Sequence, residues 1–249
     1  KIKKRILKPN YFSVYLCVQS VLNFMGSFSD LFKSSDQPNS LGAKFRAKRL
    51  EDFEALFFKI FDKDQKIRIL DVGGTDYFWK GSSIIDLPNV SITLLNLHLE
   101  ESSHPSVKAI TGDATDMSNF ENEQFDLVFS NSVIEHLYSF DSQKKMADEV
   151  MRVGKRYFIQ TPNRSFPIEA HYALPFAQKM PKSWVYFLLT KTRFSRLQRW
   201  EEKDARQYLE EIRLLSQDEM KTLFPGSELY FEKVFGLVKS FAAHNLHKA

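Results

Sequence analysis

The run Ile69-Leu70-Asp71-Val72-Gly73-Gly74-Thr75 decides how this chain is to be read. An apolar stretch ends in two glycines, as a buried strand does when its backbone must approach a ligand in the turn that follows. A nicotinamide or flavin dinucleotide site needs G-x-G-x-x-G, and the spacing here fails. Gly73 and Gly74 are adjacent, and Thr75, Asp76, Tyr77 and Phe78 follow. The phosphate loop G-x-x-x-x-G-K-S/T is absent from the sequence as well. An ordinary strand-to-helix turn is the competing reading of the two glycines.

Outward from this run, short stretches rich in β-branched and aromatic residues lie at 92–97, 107–110, 125–130 and 156–161, bounded by Gly, Asp, Asn and Pro. Between the last two, Met146, Ala147, Val150 and Met151 fall on one face of a helix expected over 141–152. Strands alternating with helices imply a parallel sheet covered on both sides by right-handed crossovers. Upstream, Leu50, Phe53, Leu56, Phe57, Ile60 and Phe61 recur at helical spacing, so an amphipathic helix is expected over 44–62. Downstream, Ser216-Gln217-Asp218-Glu219 is a capping box that opens a short helix, stopped after Phe224 by Pro225-Gly226. Stretches at 229–234 and 237–241 flank Phe235-Gly236 and read as neighbouring strands. A parallel sheet that finishes in a hairpin carries an antiparallel strand. The expected fold class is therefore α/β and Rossmann-like, mostly parallel, with helices on both faces.

Composition sets the outer bounds. The 249 residues suffice for one sizeable α/β domain, and 43% hydrophobic with 27% charged residues is ordinary for a globular protein. The 23 phenylalanines point to aromatic-rich packing or a greasy pocket. A net charge of +4 is too small to argue for nucleic acid, and the single Cys17 excludes an internal disulfide. No apolar run reaches the roughly 18–20 residues of a membrane span, and no cleavable signal pattern is evident, so a cytoplasmic protein is expected. A basic, aromatic segment over 1–43, with a loop at 34–40, is expected to form a cap or lid on a domain over 44–249.

In an open α/β sheet, ligands bind beyond the carboxyl ends of the strands. Asn96 stands at the end of the second strand, Asp113-Ala114 follows the third, and Ser130-Asn131 ends the fourth before Glu135-His136. Each has a bland alternative: Asn96 as a turn residue, Asp113 as the cap of its own turn. Their order and spacing together carry more than any one of them.

The set Asp71-Val72-Gly73-Gly74-Thr75, Gly112-Asp113-Ala114, and Phe125-Asp126-Leu127-Val128 through Glu135-His136-Leu137 resembles the class I S-adenosylmethionine-dependent methyltransferases, closest to the branch acting on small molecules. The resemblance spans about 48–243. It implies a seven-stranded sheet with its last strand antiparallel and S-adenosylmethionine as cofactor. The turn Asp71, Gly73, Gly74 and Thr75 would lie under the cofactor's amino-acid part, Asn96 at its ribose, Asp113 and Ala114 at its adenine, and Ser130 and Asn131 at the mouth of the site. Two positions depart from the pattern: Thr75 replaces the last glycine of D-x-G-x-G, and Asn96 replaces the ribose carboxylate. A neutral acceptor contributes about 0.5–1.5 kcal/mol where a charged one contributes about 1.5–3.

A methyl on a sulfonium is already activated, so such a protein must mainly align donor and nucleophile and exclude water. A base that accepts the acceptor's proton adds roughly 10²–10⁴-fold. His171, in the proline-stiffened stretch Thr161 to Tyr172 with Glu169 beside it, is the expected base or acceptor-orienting group; His136 is expected to bridge the fourth strand's loop to its helix. Some members of the class carry E-x-x-E-H after the fourth strand and ligate a divalent metal. Ser132 stands in place of the first acid, so no metal is expected here. Residues 164–215 are expected to cap the acceptor. Within 173–200, Phe176, Trp184, Tyr186, Phe187, Phe194 and Trp200 interleave with Lys179, Lys182, Lys191, Arg193, Arg196 and Arg199, without one acid. That composition suits a small anionic or amphiphilic acceptor methylated on oxygen or nitrogen, or peripheral contact with a membrane. The alternative is a helical pair with its aromatics turned inward. Nucleic acid is not expected as a partner; RNA methylation and a non-catalytic binding protein are the rival functions.

Overall fold

A computed structural model describes residues 41–247, apart from 63, 100, 101 and 103. The expectations for 1–33 and for the loop at 34–40 lie outside these residues. Residues 45–249 form one compact unit.

The elements run α1 (Leu41–Ile60), β1 (Ile67–Val72), α2 (Asp76–Trp79), β2 (Val90–Asn96), β3 (Val107–Thr111), β4 (Leu127–Asn131), a 3₁₀ turn (Ile134–His136), α3 (Phe140–Val153) and β5 (Tyr157–Pro162). A second 3₁₀ turn (Ala177–Lys179), α4 (Lys182–Lys191), α5 (Glu202–Glu211), α6 (Gln217–Leu223), β6 (Glu228–Val234) and β7 (Leu237–His244) complete it. The seven strands lie in the order β3-β2-β1-β4-β5-β7-β6. Pairings from β3 to β5 are parallel, and β7 is antiparallel to both its neighbours. Phe235 and Gly236 both take positive φ, 49° and 80°, in the two-residue turn that joins the last strands. The order reverses between β1 and β4, which opens a crevice at their carboxyl ends.

Register puts the expected ligand residues at that crevice. Val72 pairs with Leu95, so Gly73 and Asn96 emerge side by side, while Asp71 pairs with Phe129 on the other flank. The fourth strand starts later than its sequence pattern: Phe125 only bridges to Gly154, and Asp126 accepts bonds from the Arg68 amide (2.9 Å) and Lys155 Nζ (2.8 Å). A carboxylate meeting these donors at the sheet's lower edge ends the ladder there.

Part of the phenylalanine content packs as a cluster on one face of the sheet. Phe53 of α1 packs on Phe129 (4.8 Å between ring centroids) and Phe158 (5.2 Å), and Trp79 lies against Phe129 (5.2 Å). All four are buried. The other face mixes aliphatic residues (Val72, Val128, Ile159 and the inward stripe of α3) with Phe125, Tyr157, Phe224 and Phe241. The capping box at Ser216 forms, with the Ser216 hydroxyl accepting from the Glu219 amide (3.2 Å) and Glu219 Oε2 accepting from the Ser216 amide (2.8 Å). Residues 172–209 hold a small core of their own, with Tyr172, Val185, Leu189, Ala205 and Leu209. Their aromatics are not all turned inward: Trp184 and Phe194 are each 68% exposed, and Phe187 is 57% exposed. No helix among the described residues is long and apolar enough to cross a membrane.

One buried ion pair ties helix, hairpin and site together. Arg49 lies on the inward stripe of α1, where Nε and Nη2 donate to the two Glu232 oxygens (2.6 and 2.8 Å) and Nη1 donates to Asn131 Oδ1. Burial opposes the charge on Glu232, but Arg49 and the Ser240 hydroxyl outweigh it and hold the carboxyl below its ordinary range. Its contribution is therefore present above the unfolded carboxylate value, about 4.3, and is lost as pH falls through the folded value. Arg49→Met should cost about 3–5 kcal/mol, and pairing it with Glu232→Leu should recover most of that loss. Urea denaturation at neutral pH measures both; the single variant's deficit should shrink in acid.

Candidate active site at the carboxyl edge of the sheet

The turn after β1 is shaped first by its own packing. Gly73 has φ +73°, and a Cβ there would sit 2.4 Å from a Val133 methyl carbon. At Gly74 a Cβ would fall 1.7 Å from Asp71 Oδ2. The sequence reading has these glycines clearing room for a ligand; the structure adds that any larger residue would strike the protein itself. Asp71 is folded under the turn, where Oδ2 accepts from Trp79 Nε1 (2.7 Å) and Oδ1 has no partner among the described residues. Burial lifts this carboxyl to about 7, against the lowering effect of the Trp79 bond. Gly73 is exposed, Gly74 half-exposed and Thr75 exposed, so the backbone of the turn faces outward while its acid faces in.

Asn96 stands where the second strand ends and donates Nδ2 to the Gly74 carbonyl (2.8 Å). That bond ties the two strand ends together and leaves Oδ1 as the acceptor the side chain can offer a ribose hydroxyl. Asp113 is exposed, and its Oδ1 accepts from the Thr115 amide (2.7 Å) and hydroxyl (2.8 Å), so one oxygen caps its own turn; Ala114 follows, half-buried. Ser130 is fully buried, with its hydroxyl donating to the Val72 carbonyl (2.9 Å). It fastens β4 to β1 and presents no polar atom at the edge, a correction to its expected place at the cofactor. Asn131 is half-exposed at the edge, its carbonyl held by Arg49. An outward glycine backbone, an amide acceptor at the second strand and a buried acid with one oxygen unmatched fit a cofactor with an ammonium group and a ribose. Asp71, Gly73, Gly74 and Asn96 would hold it.

Beyond β4 and β5 a second group assembles. Glu135, in the 3₁₀ turn two residues past Val133, is fully buried; Oε2 accepts from the Thr161 hydroxyl (2.9 Å) and Oε1 has no partner among the described residues. His136 Nδ1 is hydrogen-bonded to Glu211 Oε1 at the end of α5. The sequence reading has His136 bridging to its own helix; the structure ties it to the cap instead. His171 meets Glu169 Oε1 through Nδ1 (2.7 Å), and Glu169 Oε2 accepts from the Tyr172 amide (2.6 Å). The two imidazoles pack edge to face, 5.1 Å between centroids. Burial lowers the basicity of His171, but the bond and charge of Glu169 and the charge of Glu135 outweigh it, so its pKa lies above the ordinary histidine value. One ligand-capable atom from each of Glu135, His136 and His171 lies within 4.8 Å of the others. Each ring thus has its Nδ1 fixed by a carboxylate, which leaves Nε2 as the nitrogen for chemistry.

Three contributors were not singled out in the sequence: Arg49, Glu211 and Thr161. Arg49 carried a signal, as a cation between Phe45 and Phe53 on an otherwise apolar stripe. Glu211 carried none, being one of several acids on α5.

The raised carboxyl of Asp71 makes a pH prediction. Its folded value lies near 7 and its unfolded value near 3.9, so the native state binds the extra proton between them. This group's contribution to stability is greatest below about 4 and declines as pH rises towards and past 7. Asp71→Asn removes that slope, so its denaturation midpoint relative to the parent should climb between pH 5 and 8. A constant difference across that range would show that Asp71 titrates normally.

The family described as "Methyltransferase domain" matches residues 81–157, a segment that holds β2, β3, β4, α3 and the first residue of β5. Asn96, Asp113 and Glu135-His136 lie inside it, and the glycine turn lies before it. No curated protein matches the chain. Among solved structures, a possible exported protein from Bordetella parapertussis superposes with a TM-score of 0.52 at 12% identity, over 79% of this chain and 67% of its own. The CurJ carbon methyltransferase superposes with a TM-score of 0.50 at 13% identity, over 88% of this chain but only 57% of its own, so the chain spans little more than half of that protein. At these identities the likeness is one of fold. The matched segment is similar to that methyltransferase domain, and the strand order that frames it gives the chain a Rossmann-like fold of the methyltransferase type.

Proposed function

We propose that this protein transfers a methyl group from S-adenosylmethionine to a hydroxyl or amine of a small anionic or amphiphilic acceptor held under the cap. The observation that carries this reading is the pair of carboxylate-held histidines, His136–Glu211 and His171–Glu169, facing a buried Glu135 beyond the ends of β4 and β5. Val133 packs on Gly73, so this group stands next to the turn where the cofactor's amino-acid part would lie. The cofactor supplies the activated methyl. The chain's part is to bind it at Asn96 and the glycine turn, to exclude water with the cap, and to orient the acceptor. His171 Nε2, with its ring fixed by Glu169, orients the acceptor's hydroxyl or amine and eases the loss of its proton.

The acceptor's character is argued from the cap. Six cations and no acid occur over 173–200, and Phe176, Trp184, Phe187 and Phe194 are exposed among them. Such a surface favours phosphate or carboxylate groups joined to an apolar body. It also suits peripheral contact with an anionic membrane that carries the acceptor.

Two measurements test this. Calorimetry should detect S-adenosylmethionine binding in the parent and in His171→Ala with similar affinity. Transfer of radiolabelled methyl into organic-soluble and anionic metabolite fractions should fall by roughly 10²-fold or more in the variant. Equal transfer by both proteins would remove His171 from the reaction, and absence of cofactor binding would favour a non-catalytic role. For the cap, the parent should sediment with phosphatidylserine-containing vesicles, and the pair Trp184→Ser and Phe187→Ser should not. Failure of the parent to sediment would leave the exposed aromatics to the soluble acceptor alone.

A further inference from the structure

We propose that Glu135, His136 and His171 together bind one divalent transition-metal ion, of which zinc is the type, with open positions facing the acceptor. The sequence reading expected no metal because Ser132 replaces an acid, and the structure shows that serine engaged elsewhere, its hydroxyl donating to Gln160 Oε1 (2.9 Å). A third donor comes instead from His171, thirty-five residues away in sequence and delivered by the loop after β5. The three donor atoms lie within 4.8 Å of one another, and an ion about 2.0–2.2 Å from each would draw them modestly closer.

Three independent features point to a cation at this place. First, Glu135 Oε1 is buried and unmatched among the described residues, although its other oxygen is bonded to Thr161. An unpaired carboxylate oxygen in a fully buried side chain is costly unless a cation meets it. Second, both imidazoles are oriented by a carboxylate on Nδ1, Glu211 for His136 and Glu169 for His171, which is how metal-bound histidines are commonly fixed. Third, carboxylates outnumber imidazoles in the cluster. Glu135, Glu169 and Glu211 bring three carboxylates to two imidazoles. Arg213, whose amide donates to the Glu135 carbonyl, turns its guanidinium to Glu219. A divalent ion with neutral rings supplies the same charge as protonating both.

The donor set decides the kind of ion. Two imidazole nitrogens and one carboxylate oxygen suit zinc, iron(II) or manganese(II) better than magnesium, which prefers an oxygen shell. Three protein donors leave a fourth position for water or substrate, as in sites that act on a bound molecule. The acceptor's oxygen or nitrogen would occupy it, beside the turn at Gly73. This rests on the proposed methyl transfer only for the ion's role, in which His171 acts on the acceptor through the ion rather than directly, since binding itself does not require that reaction.

The test uses the full chain. Protein stripped with a chelator, then incubated with zinc chloride and desalted, should retain about one zinc per chain by elemental mass spectrometry and should melt at a higher temperature than the stripped form. Glu135→Gln, which keeps the side-chain shape, and His171→Ala should each lose the retained ion and the thermal shift, while His104→Ala, at a histidine outside the cluster, keeps both. Circular dichroism checks that each variant is folded, and Glu135→Gln carries the test if His171→Ala is not. Failure of the parent to retain zinc overturns the proposal and leaves protonated imidazoles as the balancing charge. Equal retention by the parent and Glu135→Gln overturns it too, as does retention of magnesium in preference to zinc. If zinc is retained but methyl transfer by stripped protein is unchanged, the role at the acceptor falls while the methyltransferase reading stands. If zinc is not retained but His171→Ala loses transfer, that reading again survives without the ion.

Discussion

A carboxylate withdrawn from water must be met by a donor, a proton or a cation, and four of them are withdrawn at the carboxyl side of this sheet. Asp71, Glu135, Glu169 and Glu232 are each no more than 5% exposed. Each is met differently: Asp71 by an indole N–H and a raised pKa, Glu135 by a threonine hydroxyl on one oxygen, Glu169 by an imidazole and an amide, Glu232 by an arginine fork. Loss of a partner from such a group costs more than the bond itself is worth, because the charge stays buried. The turn after β1, the position of α1, the loop after β5 and the attachment of the cap all follow from satisfying these groups.

This constraint links stability to function along a short path. Arg49 reaches from α1 to Glu232 on the hairpin and to Asn131 at the end of β4, so the helix, the antiparallel edge and the site share one guanidinium. The cap is joined in the same way, through Glu211 on His136 and through the Glu135 carbonyl, which accepts from the Arg213 amide (2.8 Å). Further ties run from Gln143 Nε2 to the Arg213 carbonyl (2.8 Å) and from the Tyr138 amide to the Glu211 carbonyl (3.2 Å), while the cap keeps a small core and exposed aromatics of its own.

The turn illustrates how one residue type answers two demands. Glycine at 73 and 74 gives a backbone open to a ligand, as the sequence reading holds, yet the side chains that forbid anything larger are Val133 and Asp71. The site's shape is thus fixed before a cofactor arrives, which reduces the ordering cost of binding. Asn96 has a similar double part, since its amide is tied to Gly74 while its carbonyl is left for a ligand. A carboxylate in its place could not donate to that carbonyl oxygen.

The sequence by itself determined the order of strands and helices, the capping box at Ser216 and the hairpin at Phe235-Gly236. These depend on local periodicity, turn chemistry and spacing along the chain, which neighbours in sequence set between them. What the sequence could not decide was which distant groups would meet. Ser130 carried the same signal as Asn131, and only the pleat of β4 turned one inward and the other to the edge. Ser132 marked an incomplete metal motif, while the donor that completes the cluster came from a loop beyond another strand. Glu211 was one acid among several on a polar helix until the cap's packing brought it to His136. Long-range polar contacts are selected by tertiary geometry, because a buried charge accepts whichever partner the fold delivers, and nothing local in the chain records which one that will be.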